Sequence, residues 1–157
     1  GASSGTFAWF TANNGGGVGT DDVDSGTCET LSPVVSVAPG TVLTALVDYF
    51  HGQRDGGDDP ADGFVLDLID GTTGALVANL VTLGDVATNA EWTTAFARDD
   101  TPPASVRLRA RVTDGTGGGD LVEAGLDNVR LCTGLGPGIF TDGFELGSTA
   151  AWSSTSP

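Results

Sequence analysis

The chain of 157 residues contains no lysine and no methionine, one histidine, one tyrosine and only two cysteines. It has no apolar run near the roughly 20 residues needed to span a bilayer, and no stretch with the 3.6-residue apolar period of an amphipathic helix. Each absence excludes something. All six positive charges are arginines standing against 21 acidic residues, for a net charge of −15. Phosphate backbones and anionic lipid surfaces need clustered cations, so neither nucleic acid nor membrane insertion is expected. The lone His51 has no serine in a nucleophile-elbow context, and acyl transfer needs a nucleophile, a base and an orienting acid together. No zinc motif and no phosphate loop leading into a helix is present. Asp is so plentiful that any carboxylate pair chosen for glycoside hydrolysis is weak evidence. The reading is a chain that is not an enzyme. No stretch reads as a signal peptide, so the sequence is expected to be a mature chain or a cut piece.

What is present points to strands. There are 25 glycines with abundant Thr and Val, the mixture of short strands joined by tight turns. Strands are expected at 5–11, 30–37, 41–51, 64–70, 75–83, 91–98, 105–112 and 121–132. Pro33 suggests an edge or a bulge, and Gly71-Thr72-Thr73-Gly74 suggests a hairpin turn. The cleanest two-residue period sets Val106, Leu108, Ala110 and Val112 on one face against Arg107, Arg109 and Arg111 on the other. The arginine face is expected to be solvated and paired with neighbouring acids. About eight or nine strands without helices predict an all-β, two-sheet antiparallel β-sandwich, a jelly roll. Residues 1–132 would form the sandwich, 133–138 a Gly-rich hinge and 139–157 a C-terminal tail.

Two loops are dense in acids: Asp21, Asp22 and Asp24 in the first, Asp55, Asp58, Asp59 and Asp62 in the second. Calcium takes six to eight hard oxygen ligands, which such loops supply. Asp127, set among apolar residues of the last strand, would also need a partner. Ca²⁺ is therefore the expected cofactor. Cys28 and Cys132 fit neither a metal nor a redox motif. In an exported chain one disulfide between them is the expectation, and two unpaired thiols the alternative. A closed loop of about 100 residues is worth about 4.7 kcal/mol in the chain-entropy account.

GTDDVDSGTCETLSPVVSV, PADGFVLDLIDGTTG and VRLRARVTDGTGGGDLVEAGLDNVRL resemble the calcium-binding, MAM-like jelly-roll domains appended to secreted bacterial proteases and carboxypeptidases. The resemblance implies an extracellular, non-catalytic sandwich with cation ligands at Asp22, Asp24, Asp62, Glu123 and Asp127. Asn128 stands where the family's terminal motif usually has a second Asp. Domains of this family also begin with an Asp-x-Phe-Glu-x-Gly…Trp strand, whose counterpart here is Asp142 to Trp152 at the other end.

Three functions follow as expectations. The first is a self-assembling extracellular subunit, forming a filament or adhesive layer. Ile139, Phe140, Phe144, Leu146 and Trp152 would then form an assembly strand that fills a groove in a neighbouring copy, the alternative being that it folds back into its own groove as a circularly permuted strand would. The alternative is a calcium-binding accessory module of a secreted hydrolase that grips polysaccharide or protein. A stripe of aromatics on one sheet face would support that alternative, and Trp9, Phe10, Tyr49 and Trp92 look too scattered along the chain to form one. The third, an enzyme, is the least supported.

Overall fold

The computed structural model describes residues 3, 5, 8–11, 23, 25–54, 56–57, 59–116 and 122–135. Ten strands run in order: β1 (Trp9–Phe10), β2 (Gly26–Leu31), β3 (Val35–Ser36), β4 (Thr41–Gln53), β5 (Gly63–Asp70), β6 (Leu76–Leu83), β7 (Thr88–Asn89), β8 (Thr93–Asp99), β9 (Ser105–Asp114) and β10 (Val122–Leu135). No helix occurs among the described residues. A front sheet takes the order β1-β10-β4, with β7 and β8 both pairing the far side of β4. A back sheet takes β2-β9-β5-β6, with β3 also on β9. Every pairing is antiparallel. The chain is an all-β, two-sheet antiparallel sandwich.

The alternation in the sequence becomes the core. Val106, Leu108, Ala110 and Val112 of β9 lie inside with Phe64, Leu66 and Leu68 of β5. They face Leu43, Val47, Val122, Ala124 and Leu126 of the front sheet. Each of the Val, Leu and Phe side chains among them contributes about 1.5–3 kcal/mol by leaving water. Pro33 lies on the back sheet's edge, as its missing N–H requires. Around it the Ser32 hydroxyl accepts the Leu108 N–H at 2.9 Å, and the Ser32 N–H donates to the Leu108 carbonyl. The expected hairpin turn also forms. The Asp70 carboxylate accepts the Thr72 and Thr73 N–H groups, and Gly74 supplies a left-handed φ of 74°.

The arginine face divides unequally. Asp67 is buried among its neighbours, taking Arg109 at 2.8 Å, Asn79 at 2.9 Å and Arg111 at 3.8 Å.

Two expectations change. The Cys28–Cys132 disulfide is not formed, and both thiols are free. Cys28 lies on β2 opposite Val112 and packs on the core, whereas Cys132 is exposed on β10 opposite Thr44. Val112 pairs with Phe64, which stacks on Tyr49, five positions along β4 from Thr44. That is about 16 Å of strand, with one thiol inside the sandwich and the other outside it, far beyond the roughly 7 Å Cα limit of a disulfide. In addition, β10 continues through Thr133 to Leu135, where Leu135 pairs with Thr41. The regular sheet therefore enters the stretch expected to be hinge. The assembly-strand residues Ile139, Phe140, Phe144, Leu146 and Trp152 lie outside the described residues.

Candidate functional site: the outer face of the front sheet

The cross-strand register sets side chains of the front sheet's outer face in rows. The first row runs Phe10 on β1, Gly125 on β10 and Phe50 on β4, with Trp92 just ahead of β8. The three rings form one cluster. Phe50 and Trp92 meet edge to face at 5.0 Å, Phe10 and Phe50 tilt at 5.7 Å, and Phe10 and Trp92 lie 6.2 Å apart. Gly125 makes the cluster possible, since a Cβ there would run into the Phe50 ring. The next row is Asp127, Asp48 and Thr94, and the row beyond it is Arg130, Leu46 and Phe96. Phe96 is 60% exposed. Phe50 and Leu46 are four positions apart, so the two apolar rows stand about 13 Å apart with the acidic row between them.

Asp48 and Asp127 are direct cross-strand partners of like charge, an arrangement that costs stability unless donors surround it. Thr94 Oγ1 donates to Asp48 at 2.6 Å and Asn128 Nδ2 at 3.1 Å. Ser3 Oγ lies 2.9 Å from Asp48 and 3.0 Å from Asp127. The Thr94, Asn128 and Ser3 bonds, in that order, hold the Asp48 carboxyl below the usual carboxylate range. Asn128 has φ of 48° inside the β10 bulge between Asp127 and Arg130. Asn is the common non-glycine residue in that conformation. Here it turns the strand and brings its amide onto Asp48.

Of the expected cation ligands, the three that are described, Asp62, Glu123 and Asp127, are not brought together. Asp22 and Asp24 lie outside the described residues. Asp62 is buried between the sheets, accepting Gln53 Nε2 at 2.9 Å and the Gly115 N–H at 2.7 Å. Glu123 alternates with buried Val122 and Ala124, and so points to the outer face, about 13 Å along β10 from Asp127. Among the described residues no three His, Cys, Asp or Glu side chains are placed to hold a metal ion. His51 is buried beside Phe64, with Nδ1 3.1 Å from Thr88 Oγ1. Burial holds its pKa below the ordinary value, and Asp62 pulls the other way.

The aromatics are not scattered in space. Trp9 and Tyr49 pack on the core, while Phe10, Phe50 and Trp92 converge outside. The signal was in the β4 sequence, where Val42, Leu46 and Phe50 make the outward face apolar as well. A sandwich strand facing water alternates with polar residues, so apolar residues on both faces mark a second covered or binding surface.

No family model matches the chain, and no curated protein matches it. Among solved structures it is similar to a sugar-binding protein, the EclA C-terminal domain, at 14% identity and a TM-score of 0.44. That match covers 83% of this chain and 81% of the other. It is also similar to a Clostridium thermocellum endo-1,4-β-D-xylanase 10B, in CBM22-1–GH10 modules complexed with xylohexaose, at 20% identity and a TM-score of 0.39. There the match covers 83% of this chain but only 22% of the xylanase chain.

Proposed function

We propose that the chain is a non-catalytic, extracellular sugar-binding module, accessory to a secreted hydrolase, that takes polysaccharide across the outer face of its front sheet. The observation that carries this is the Asp127–Asp48 pair held between the Phe10–Phe50–Trp92 cluster and exposed Phe96. A pyranose offers C–H faces that pack on aromatic rings and hydroxyls that donate to carboxylates, so a row of each suits a sugar chain laid across the strands.

A calcium ion, if bound through the acidic loops, would stabilise the Asp62 end of the sandwich and leave the sugar face alone. Chelator should then lower the melting temperature without changing glycan affinity. A self-assembling subunit is the second reading, favoured by the side of β10 along which, among the described residues, no strand lies from Asn128 to Leu135.

Calorimetry against soluble oligosaccharides and affinity electrophoresis in polysaccharide gels test the sugar reading. Phe96→Ala should weaken binding about tenfold, a loss of about 1.4 kcal/mol, with an unchanged melting curve, and Asp48→Ala should weaken it as much. Failure of the intact chain to bind any member of a broad glycan panel sinks the proposal.

A further inference from the structure

Tyr49 and His51 lie two positions apart on β4, and both rings stack on Phe64, at 5.6 and 6.1 Å. They line a cavity of about 310 Å³ on the side of β4 away from β10. Thr93, directly across from Tyr49 at the start of β8, lines it together with Glu91 two residues earlier and Leu83 at the end of β6. The Tyr49 hydroxyl, the Thr93 hydroxyl and the Glu91 carboxylate make no hydrogen bond to another described residue.

His51 is short of a donor. Thr88 Oγ1 has one hydrogen, and it goes to the His51 carbonyl at 2.7 Å. The same oxygen accepts the Gln53 N–H at 3.1 Å. The 3.1 Å contact between Thr88 Oγ1 and His51 Nδ1 therefore carries the Nδ1 hydrogen, with the ring as donor. Burial keeps the ring neutral, so Nε2 is left as a bare lone pair. It belongs to a side chain only 3% exposed, and no described group donates to it. A buried acceptor without a donor costs stability that an arriving hydroxyl would restore.

We propose that this cavity is a second binding site, separate from the outer face of the front sheet, and that it takes one neutral sugar ring. Four groups have to be matched at once. His51 Nε2 and Glu91 accept, whereas the Tyr49 and Thr93 hydroxyls each bring a hydrogen to give. An ammonium has no lone pair for those two hydrogens. A carboxylate or sulfate has no hydrogen for Nε2, and it meets Glu91 on a chain of net charge −15. Hydroxyl groups both donate and accept, and several fixed on one ring reach several partners. The volume is at the low end for ligand sites, which suits a single ring and not a chain. Leu83 and the Tyr49 and His51 rings, backed by Phe64, give its C–H groups apolar contact.

His51 and Tyr49 are the only residues of their kinds in the chain, so their side-chain NMR signals report this cavity without any substitution. The labelled full chain is titrated with glucose, xylose, galactose and mannose. At least one should move the His51 Nε2 and Tyr49 ring signals saturably at millimolar sugar, with Nε2 shifting as a hydrogen-bonded acceptor and Nδ1 keeping its hydrogen. Glu91→Gln and Thr93→Val, both at exposed positions, should each weaken that sugar about fivefold, the worth of one hydrogen bond. Signals that none of the four sugars moves overturn the proposal, even where the outer face retains a polysaccharide, so the two sites fail separately. Shifts that both substitutions leave unchanged overturn it too, as does tighter binding of glucosamine or glucuronate than of the neutral sugars.

Discussion

The two sheets turn opposite chemistries to solvent. The back sheet sets three arginines in a row and spends two of them internally, with Arg109 and Arg111 both directed at buried Asp67. The front sheet sets two carboxylates side by side, holds them with hydroxyl and amide donors from Thr94, Asn128 and Ser3, and flanks them with rings. A face whose charges are already matched offers little to a ligand. A face that crowds like charges beside exposed apolar carbon has both hydrogen-bonding capacity and contact area left over. Only the second has the makings of a recognition surface.

The sharpest way to separate the faces is Asp67→Ala. It removes the acid that two arginines share and should cost about 2–3 kcal/mol, toward the low side for a buried pair because Arg109 can swing into water. Chemical denaturation reads the loss, and glycan affinity should not move. Gly125→Val acts on the front face instead, driving Phe50 out of the ring cluster. An overpacking cost of about 1–3 kcal/mol is expected, with glycan binding lost in proportion.

Acidity divides the interior from the face. His51 is held neutral by burial, with a folded pKa below its unfolded value. The unfolded chain therefore takes up the proton more readily, and stability should fall as pH drops through about 6.5. A shallower slope of melting temperature in His51→Gln checks this. Asp48, held below the usual carboxylate range, stays ionised through that window, so glycan binding should remain flat where stability declines. The smallest effect belongs to Arg107→Gln, outside the Asp67 pairing on the back face, at under about 0.5 kcal/mol in stability and nothing in binding.

The back sheet was legible because its information is local. The Ser105–Asp114 alternation, the Asp70–Gly74 turn and Pro33 each report their surroundings within a few residues. The front face was not, because its rings come from 10, 50 and 92 and meet only through register across Gly125. The same register separates Asp62, Glu123 and Asp127, which looked like one ligand set on paper. It also parts Cys28 from Cys132, since a two-residue period says which side a thiol faces only once the strand's pairing is known.

The position of β10 also governs when the molecule can form. It is the last described strand in the chain, yet it is the sole partner of β1 and runs beside β4 from end to end. While the chain is still being made, β1 waits for residues more than a hundred positions downstream, and loop-closure entropy must be met before that contact gives anything back. Pairing of such long range places this domain among the slow folders, on a scale of milliseconds to seconds. The β1-β10-β4 part of the front sheet therefore closes only once β10 has been made.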